Sequence, residues 1–531
     1  MAELLADSVS RFADSDAIVD GNTVLSYAQL GAHVNRAAAA LIGLGIAKGD
    51  RVGIWAPNGA RWIISALATM SIGGIVVPLN TRYRGAEAAE LLERSSARAA
   101  FIHQNFLGYD YLGAMRDAGV PPALEYVIDI ACDRAVDATP GTIAWDQFSE
   151  FGAEISAARL DAASAAVLPT DPSDIIFTSG TTGRAKGVVL QHGPVLRLYR
   201  EYGRIWGLRP GDRYLITLPF FHGGGNKAGM IASIIHGATM IPVATFDTVE
   251  TLRLIQREAI TVMNAPPTIF SSILDHPERD SFRLSSLRLA ATGATVVPVA
   301  MVERALSELP FENFITAYGL TESSGTVSMC RQGDSPTIVA NTNGRALPDV
   351  EVRIVDPAGA PLTAGQSGEV LVRGFNITSG YWDDPASTGQ AIDAGGWLHT
   401  GDIGSLDESG NLSINGRIKE LFIVGGFNVS PSEVEQVMAR HPKIAEVVVI
   451  PVPDERLGEV GKAFVIPRDE CEIDTSEVIS WCRERIANFK VPRYIEVTNS
   501  FPRNASGKVL RRELQEQEAR SAQQLIDPKS L

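Results

Sequence analysis

The sequence predicts an α/β protein: a large N-terminal domain of α/β subdomains with parallel sheets, followed by a small α+β C-terminal domain. Three observations carry that expectation. Short runs rich in Ile and Val alternate with stretches whose apolar residues recur at helical spacing, the pattern of parallel strands joined by crossover helices. An apolar segment ending in glycine, strand and proline occurs twice, at Gly73-Gly74-Ile75-Val76-Val77-Pro78 and Gly237-Ala238-Thr239-Met240-Ile241-Pro242, as if two similar subdomains packed face to face. After Arg417 the pattern changes to a compact α+β unit of about a hundred residues, enough for a separate core.

Taken in order, Tyr27–Leu44 places Leu30, Val34, Ala38 and Leu41 on one helical face, and Gly43 and Gly45 stop it. Asp50–Trp55 is a strand closed by Pro57-Asn58-Gly59, Trp62–Ile72 a helix and Ile75–Pro78 the next strand. Residues 62–81 and 228–246 carry no formal charge, but each holds Gly and Pro in its second half. Each is better read as a buried helix, a turn and a strand than as a membrane span. Residues 131–170, rich in Ala, Asp and Ser, are expected to form a surface connection.

Further strands are predicted at Asp212–Leu218 and Leu287–Ala291, with a helix over Leu252–Ile260. The turn Thr292-Gly293-Ala294 then lies at a strand's C-terminal end, where open α/β sheets bind ligands. A hairpin follows Gly396–Asp402, turns at Glu408-Ser409-Gly410 and ends in Asn415-Gly416-Arg417. The division is placed there, giving domains 1–417 and 418–531. The second contains helices over Pro431–Ala439 (Val434, Val437 and Met438 inward) and Val478–Ala487, and strands at Val447–Pro451 and Lys462–Ile466.

The 531 residues suit about three or four compact units. A net charge of −15 argues against a nucleic-acid partner, which needs clustered Lys and Arg. The four cysteines are scattered with no C-x-x-C pair, so a reduced, cytoplasmic chain is expected rather than a disulfide or zinc framework. The opening MAELLADSVSRFADSD has neither the basic start nor the apolar core of a secretory signal, and the final Lys529-Ser530-Leu531 is not the peroxisomal Ser-Lys-Leu.

Chemistry concentrates in a few stretches. In DIIFTSGTTGRAKGVVL (174–190) a buried strand runs into a loop of Thr178, Ser179, Gly180, Thr181, Thr182 and Gly183, followed by Arg184 and Lys186. Hydroxyls, backbone N–H groups freed by glycine, and cations suit a polyphosphate. It is no Walker loop, because Gly187 follows Lys186 where Ser or Thr would hold magnesium. ITAYGLTESSG (315–325) offers the flat face of Tyr318, Gly319, the Thr321 hydroxyl and the Glu322 carboxylate. Asp402 in GWLHTGD can accept two hydrogen bonds from a cis-diol. Finally, PRNASGKVLRREL (502–514) presents Lys508 from a tight loop.

These stretches, in this order along nearly the whole chain, resemble the adenylate-forming superfamily of acyl-CoA synthetases, luciferases and peptide-synthetase adenylation domains. The resemblance implies that fold, with a hinge between the domains and Lys419 at its pivot. It implies Tyr318 stacked on adenine beside Gly319, Gly293 and Ala294, and Asp402 on the ribose with Arg417 assisting. Thr321 would touch the α-phosphate, Thr181 and Glu322 would hold Mg²⁺, and Lys508 would be the catalytic lysine. His222 would lie at the acyl/pantetheine junction, and Gly425-Gly426 along the pantetheine tunnel.

The implied reaction joins a carboxylic acid to ATP as an acyl-adenylate, releasing pyrophosphate, and then passes the acyl group to coenzyme A, releasing AMP. ATP, Mg²⁺ and coenzyme A are thus the expected cofactors and a small carboxylic acid the partner, with no transmembrane segment and a homodimer left open. An adenylate-forming enzyme with a non-CoA acceptor, a carrier-protein loader or a luciferase-like oxygenase, is the alternative. No acidic residue between Leu218 and Met230 is available to anchor a substrate amino group, and the chain ends soon after Lys508, so free CoA is favoured. A catalytically dead ATP-binding regulator would not need Lys508 and Glu322 together. His222-Gly223-Gly224-Gly225 mimics an esterase oxyanion loop, but no Gly-x-Ser-x-Gly elbow accompanies it. Phe220, Phe221, Asn226 and Lys227 are read as acid-pocket residues mixing apolar walls with polar groups. PFFHxxxxKAG looks like ligases acting on propanoate side chains of steroid-ring fragments, so a medium-sized or cyclic acid is expected.

Overall fold

Among the described residues, three large sheets and a two-stranded ribbon, Asn105–Phe106 with Tyr109–Asp110, are built from the residues up to Arg417, and a further sheet from those after it. The structure, a computed structural model, describes residues 1–134, 141–178, 185–293, 297, 299–424, 427–454, 456–468, 471–504 and 508–526. In the nine-stranded sheet, Asn313–Tyr318, Leu289–Thr292, Val262–Asn264, Arg213–Ile216, Thr239–Pro242 and Asp16–Asp20 lie side by side and parallel. The seven-stranded sheet has Ile75–Pro78, Arg51–Trp55, Ala97–Ile102 and Tyr126–Asp129 in parallel register, and ends at the antiparallel hairpin Pro172–Thr178/Lys186–Gln191.

Helical spacing decides what lies between the sheets. In Ala60–Ser71 every residue except Arg61 is buried, as expected of a helix apolar on all sides. Fully burying large side chains such as Ile63, Leu67 and Met70 contributes about 1.5–3 kcal/mol each. Tyr27–Gly43 begins with a capping box, in which Ser26 Oγ accepts from Gln29 N and Gln29 Oε1 from Ser26 N. The Tyr27 hydroxyl lies within hydrogen-bond distance of the Ser233 and Ala238 carbonyls, at 3.1 and 2.8 Å, tying this helix to the second apolar segment.

The sequence echo is real in three dimensions. Gly73 and Gly237 both adopt positive φ (76° and 71°) at a helix end, and each leads into a fully buried strand, Ile75–Pro78 in one sheet and Thr239–Pro242 in the other. Elsewhere the structure departs from the sequence reading. Residues 131–170 are more than a surface connection: they include the strand Ile143–Ala144 and helices Trp145–Glu150 and Ala157–Ala165. Phe148 is fully buried 5.3 Å from the Phe101 ring, so a single aromatic anchors a segment too short to show periodicity. The predicted hairpin is half of a four-stranded antiparallel sheet, Val350–Val355, Gly368–Gly374, Leu398–Leu406 and Leu412–Arg417.

Residues beyond Arg417 have their own core, from Phe422 to Leu514, over a five-stranded sheet. In Pro431–Met438, Val434 and Met438 are buried, but Val437 is only half-buried and Glu435 takes the inward place expected for it. Burial raises the Glu435 pKa, against the pull of Arg511; the carboxylate accepts from Val449 N at 2.7 Å and Arg511 Nη2 at 2.5 Å. Among the described residues no helix is long and apolar enough to cross a membrane.

Candidate active site

Thr178 and Tyr318 end strands of the seven- and nine-stranded sheets, and Asp402 lies in a strand of the antiparallel four-stranded sheet. Pro172–Thr178 pairs with Lys186–Gln191 so that Thr178 faces Lys186, and the Thr178 hydroxyl donates to the Lys186 carbonyl at 3.4 Å. Ser179, Gly180, Thr181, Thr182 and Gly183, the donors between these strands, lie outside the described residues, as does Ala294. Lys186 Nζ stands 4.9 Å from the ring centre of Tyr381.

Tyr318 ends a strand parallel to Leu289–Thr292, with Thr292 opposite Thr316, which sets Gly293 beside the tyrosine's approach. The Tyr318 hydroxyl donates to Asp402 Oδ2 at 2.5 Å, and Arg417 Nε meets Asp402 Oδ1 at 2.9 Å. These partners come from two sheets, so three separated sequence stretches meet on one carboxylate. Asp402 is 3 % exposed, and burial pushes its pKa up while Arg417 and the Tyr318 hydroxyl hold it down. Burial, then the neighbouring carboxylate, drives the Tyr318 pKa well up, so the phenol stays a donor. Gly319 follows where a Cβ would fall 2.3 Å from the Gly325 carbonyl oxygen, a spacing only glycine tolerates.

Thr321 and Glu322 sit in the short turn Thr321–Ser323. Its backbone is held by Asn376, whose Nδ2 donates to the Ser323 and Thr326 carbonyls, and by Thr378 N, which donates to the Glu322 carbonyl at 2.7 Å. The Glu322 carboxylate accepts from the Tyr381 hydroxyl at 2.9 Å. Among the described residues no three His, Cys, Asp or Glu side chains form a metal cage. A single carboxylate fits Mg²⁺, which binds through one or two carboxylates plus phosphate oxygens and keeps several waters.

On the other side of the site, His222 precedes the π-helix Gly224–Ile231, a rare element that marks functional segments. The helix enters so close to its own strand that a Cβ on Gly225 would lie 2.3 Å from the Leu218 carbonyl oxygen. Burial lowers the His222 pKa, favouring the neutral imidazole. Phe220 is buried against Trp62, ring centres 4.9 Å apart. Asn226 and Lys227 are not the polar pocket groups expected. Lys227 is fully buried and its Nζ donates to Asp174 Oδ2 at 2.6 Å, while Asn226 Nδ2 reaches Asp174 Oδ1 at 3.4 Å. A buried ammonium must be paired, and Asp174, near the start of the strand Pro172–Thr178, supplies the pair.

Lys508 lies in the part of the chain after Arg417, and its charge is felt at Asp402. Its N–H donates to Asn504 Oδ1 at 2.8 Å, and Asn504 N donates back to its carbonyl, so the loop is pinned at both ends. The side chain is exposed, yet desolvation around the ammonium and the charge of Arg417 lower its pKa, with Glu420 and Asp402 pulling it up. The structure thus brings Tyr318, Asp402, Arg417 and Lys508 into one electrostatic group. Lys419 lies in the turn Ile418–Glu420 that follows Arg417, its side chain outside the description; Gly425 and Gly426 also lie outside the described residues.

Sequence reasoning missed Tyr381 and Asn376. The only local signal was the run Gly380-Tyr381-Trp382 before a proline-started helix, Pro385–Ala391.

Comparison with known proteins gives a consistent picture. The family model described as AMP-binding enzyme matches residues 5–382, and that of the AMP-binding enzyme C-terminal domain matches 433–508. A 3-(7a-methyl-1,5-dioxo-octahydro-1H-inden-4-yl)propanoyl:CoA ligase of Rhodococcus jostii RHA1 is 45% identical over 513 residues, covering 97% of this chain and 98% of that one. The ligase of the same name from Mycobacterium tuberculosis H37Rv is 47% identical over 508 residues, covering 96% and 97%. Among solved structures, an anthranilate CoA ligase in complex with anthranoyl-AMP superposes with a TM-score of 0.86 at 26% identity, covering 97% of this chain and 96% of the other.

Proposed function

This chain belongs to the AMP-binding enzyme family as an ATP-dependent, AMP-forming acyl-CoA ligase, and we propose that its acid is a propanoate borne on a fused, oxygenated bicyclic ring. ATP and coenzyme A are its co-substrates and Mg²⁺ its metal. The bicyclic ring is carried over from the two relatives of nearly equal length, whose names state that acid. The role of the site is supported by one observation: Asp402, held by Tyr318 and Arg417, lies near enough to Lys508 to feel its charge.

In this reading Tyr318, with Gly319, Gly293 and Ala294, flanks the adenine, and Asp402 and Arg417 grip the ribose. Thr178, Ser179, Gly180, Thr181, Thr182, Gly183 and Lys186 cradle the phosphates, while Thr321 contacts the α-phosphate. Glu322, with Thr181, would hold Mg²⁺, which when bound would neutralise charge on the phosphate oxygens. The substrate carboxylate attacks the α-phosphorus, the bond to the bridging oxygen breaks, and pyrophosphate leaves. Lys508 neutralises charge that builds on those oxygens in the transition state, where a cation lowers the barrier most. A turn of residues 418–531 about Lys419 then withdraws Lys508 and brings Gly425-Gly426 alongside the pantetheine. The thiolate attacks the acyl carbonyl beside neutral His222, and AMP departs. The low exposure of His222's surroundings keeps its imidazole uncharged near that thioester. A cytoplasmic location accords with four cysteines scattered along the chain without a C-x-x-C pair, and a homodimer is left open.

The test is ATP-to-AMP conversion across a panel of acids, each with and without CoA. The reading expects AMP and thioester together only when CoA is present, with the highest kcat/KM for a bicyclic propanoate. Plain C12–C16 fatty acids giving the highest kcat/KM would overturn the substrate class.

A further inference from the structure

The Glu322 carboxylate and the Lys186 ammonium share one side chain between them. The Tyr381 hydroxyl donates to Glu322 Oε1 at 2.9 Å, and the Lys186 ammonium lies 4.9 Å from the centre of the same ring. A phenol suits both contacts, since its O–H is a donor for a carboxylate and its ring face attracts a cation.

The backbone around Tyr381 is fixed from two directions. Trp382 N donates to the Gly187 carbonyl at 2.7 Å, Val189 N to the Gly380 carbonyl at 3.0 Å, and Tyr381 bridges Val188 in antiparallel register. These contacts lay the segment along the strand that leaves the phosphate loop. On the other side, Thr378 N donates to the Glu322 carbonyl and Thr378 Oγ1 to the Val189 carbonyl at 2.6 Å. Tyr381 N also donates to Thr388 Oγ1 at 2.9 Å, anchoring it to the helix Pro385–Ala391. The segment therefore has little freedom to let the phenol swing away. Asp384, which caps that helix, lies near enough to Lys186 and Arg94 to feel their charge, so the cation has a second anion behind it.

We propose that Tyr381 is a positioning residue that sets Glu322 and Lys186 at a fixed separation for the magnesium and phosphates of ATP. The proposal rests on the reading of Glu322 as the metal-holding carboxylate and goes beyond it by naming what orients it. Tyr381 touches no reacting atom. Its hydroxyl occupies one oxygen of Glu322, leaving the other for the metal that Glu322 would hold, and its ring sets where the lysine ammonium rests.

Binding to the full-length enzyme, measured by calorimetry for ATP with and without Mg²⁺ and by electron paramagnetic resonance of Mn²⁺ with ATP, separates the possibilities. Tyr381→Phe keeps the ring and removes the hydroxyl. It is expected to weaken metal·ATP binding on the order of tenfold, the usual scale for losing an outer partner of a metal ligand, and to leave metal-free ATP binding unchanged. Thiolation of preformed acyl-adenylate should also be unchanged. In a Glu322→Gln background Tyr381→Phe should add no further loss. If Glu322→Gln weakens metal·ATP binding and Tyr381→Phe does not, the positioning role is wrong and the metal role stands. If Glu322→Gln itself binds metal·ATP like the unaltered enzyme, the metal reading fails first. Equal losses of metal-free and metal-bound ATP in Tyr381→Phe, or additive losses in the double variant, would also overturn the positioning role.

Discussion

Two buried carboxylates, Asp174 and Asp402, differ in their partners. Asp174 and its partner Lys227 are both fully buried, with Asn226 completing the contact. Asp402 is equally removed from solvent, but its partner Arg417 is 46% exposed and Lys508 approaches from the other core. The first pair is sealed on both sides and ties the strand Pro172–Thr178 to the π-helix. The second has a partner that reaches solvent, which is what the proposed departure of Lys508 between half-reactions would need. Burial of the carboxylate alone therefore does not separate the two pairs; the exposure of the partner does.

The largest expected effect lies at the sealed end. Lys227→Ala leaves Asp174 buried and uncompensated, which costs about 3–5 kcal/mol of stability. Chemical denaturation should show that loss, whereas Lys227→Met with Asp174→Leu should recover much of it. A recovery no better than the single variant would mean that the pair also serves binding.

The same end should be sensitive to acid. His192, at the base of the helix His192–Trp206, is 2 % exposed, with neither ring nitrogen hydrogen-bonded. Desolvation, then the N-terminal ammonium, lowers its pKa from 6.5 to about 4, while Asp174 raises it. The folded pKa lies below the unfolded one, so this group's stabilising contribution is complete above about pH 6.5 and is lost as pH falls towards 4. The full loss is about 3 kcal/mol. His192→Gln should flatten that part of the stability profile between pH 7 and 4.5; an unchanged slope would assign the acid sensitivity elsewhere.

At the open end the same chemistry should change function more than stability. Asp402→Asn removes the charge but leaves Arg417 able to face water. The affinity for ATP is expected to fall about tenfold, equivalent to about 1.4 kcal/mol, with a stability change below about 1 kcal/mol. A large fall in melting temperature would make Asp402 a second sealed pair.

Much of the fold was legible because burial imposes spacing. The apolar face of Tyr27–Gly43, the run Ile75–Pro78 and its echo at Thr239–Pro242 follow from local pattern. The candidate site was legible in part, since Tyr318, Glu322, Asp402 and Lys508 lie in compact stretches rich in turn formers. What connects them was not. Lys227 beside His222 has the look of a pocket residue, and only its contact with Asp174, 53 positions earlier, reveals it as part of the core. Tyr381 lies 59 positions after Glu322, and no periodicity encodes such a contact. The 131–170 segment hides its structure for a related reason: its helices are too short to build a pattern, Phe148 alone is buried in Trp145–Glu150, and Ala157–Ala165 buries no residue, as a surface connection would.

The most direct measurement of the difference between the two ends is both half-reactions of Lys508→Ala. Adenylation, followed as pyrophosphate release, should fall on the order of 100-fold or more, as for loss of a transition-state contact. Thiolation of preformed acyl-adenylate should stay within about twofold, as the proposed withdrawal of Lys508 from the site before that step requires. Equal loss in both halves would contradict a carboxylate served by a departing partner, and would make the junction around Asp402 as fixed as the pair at Asp174.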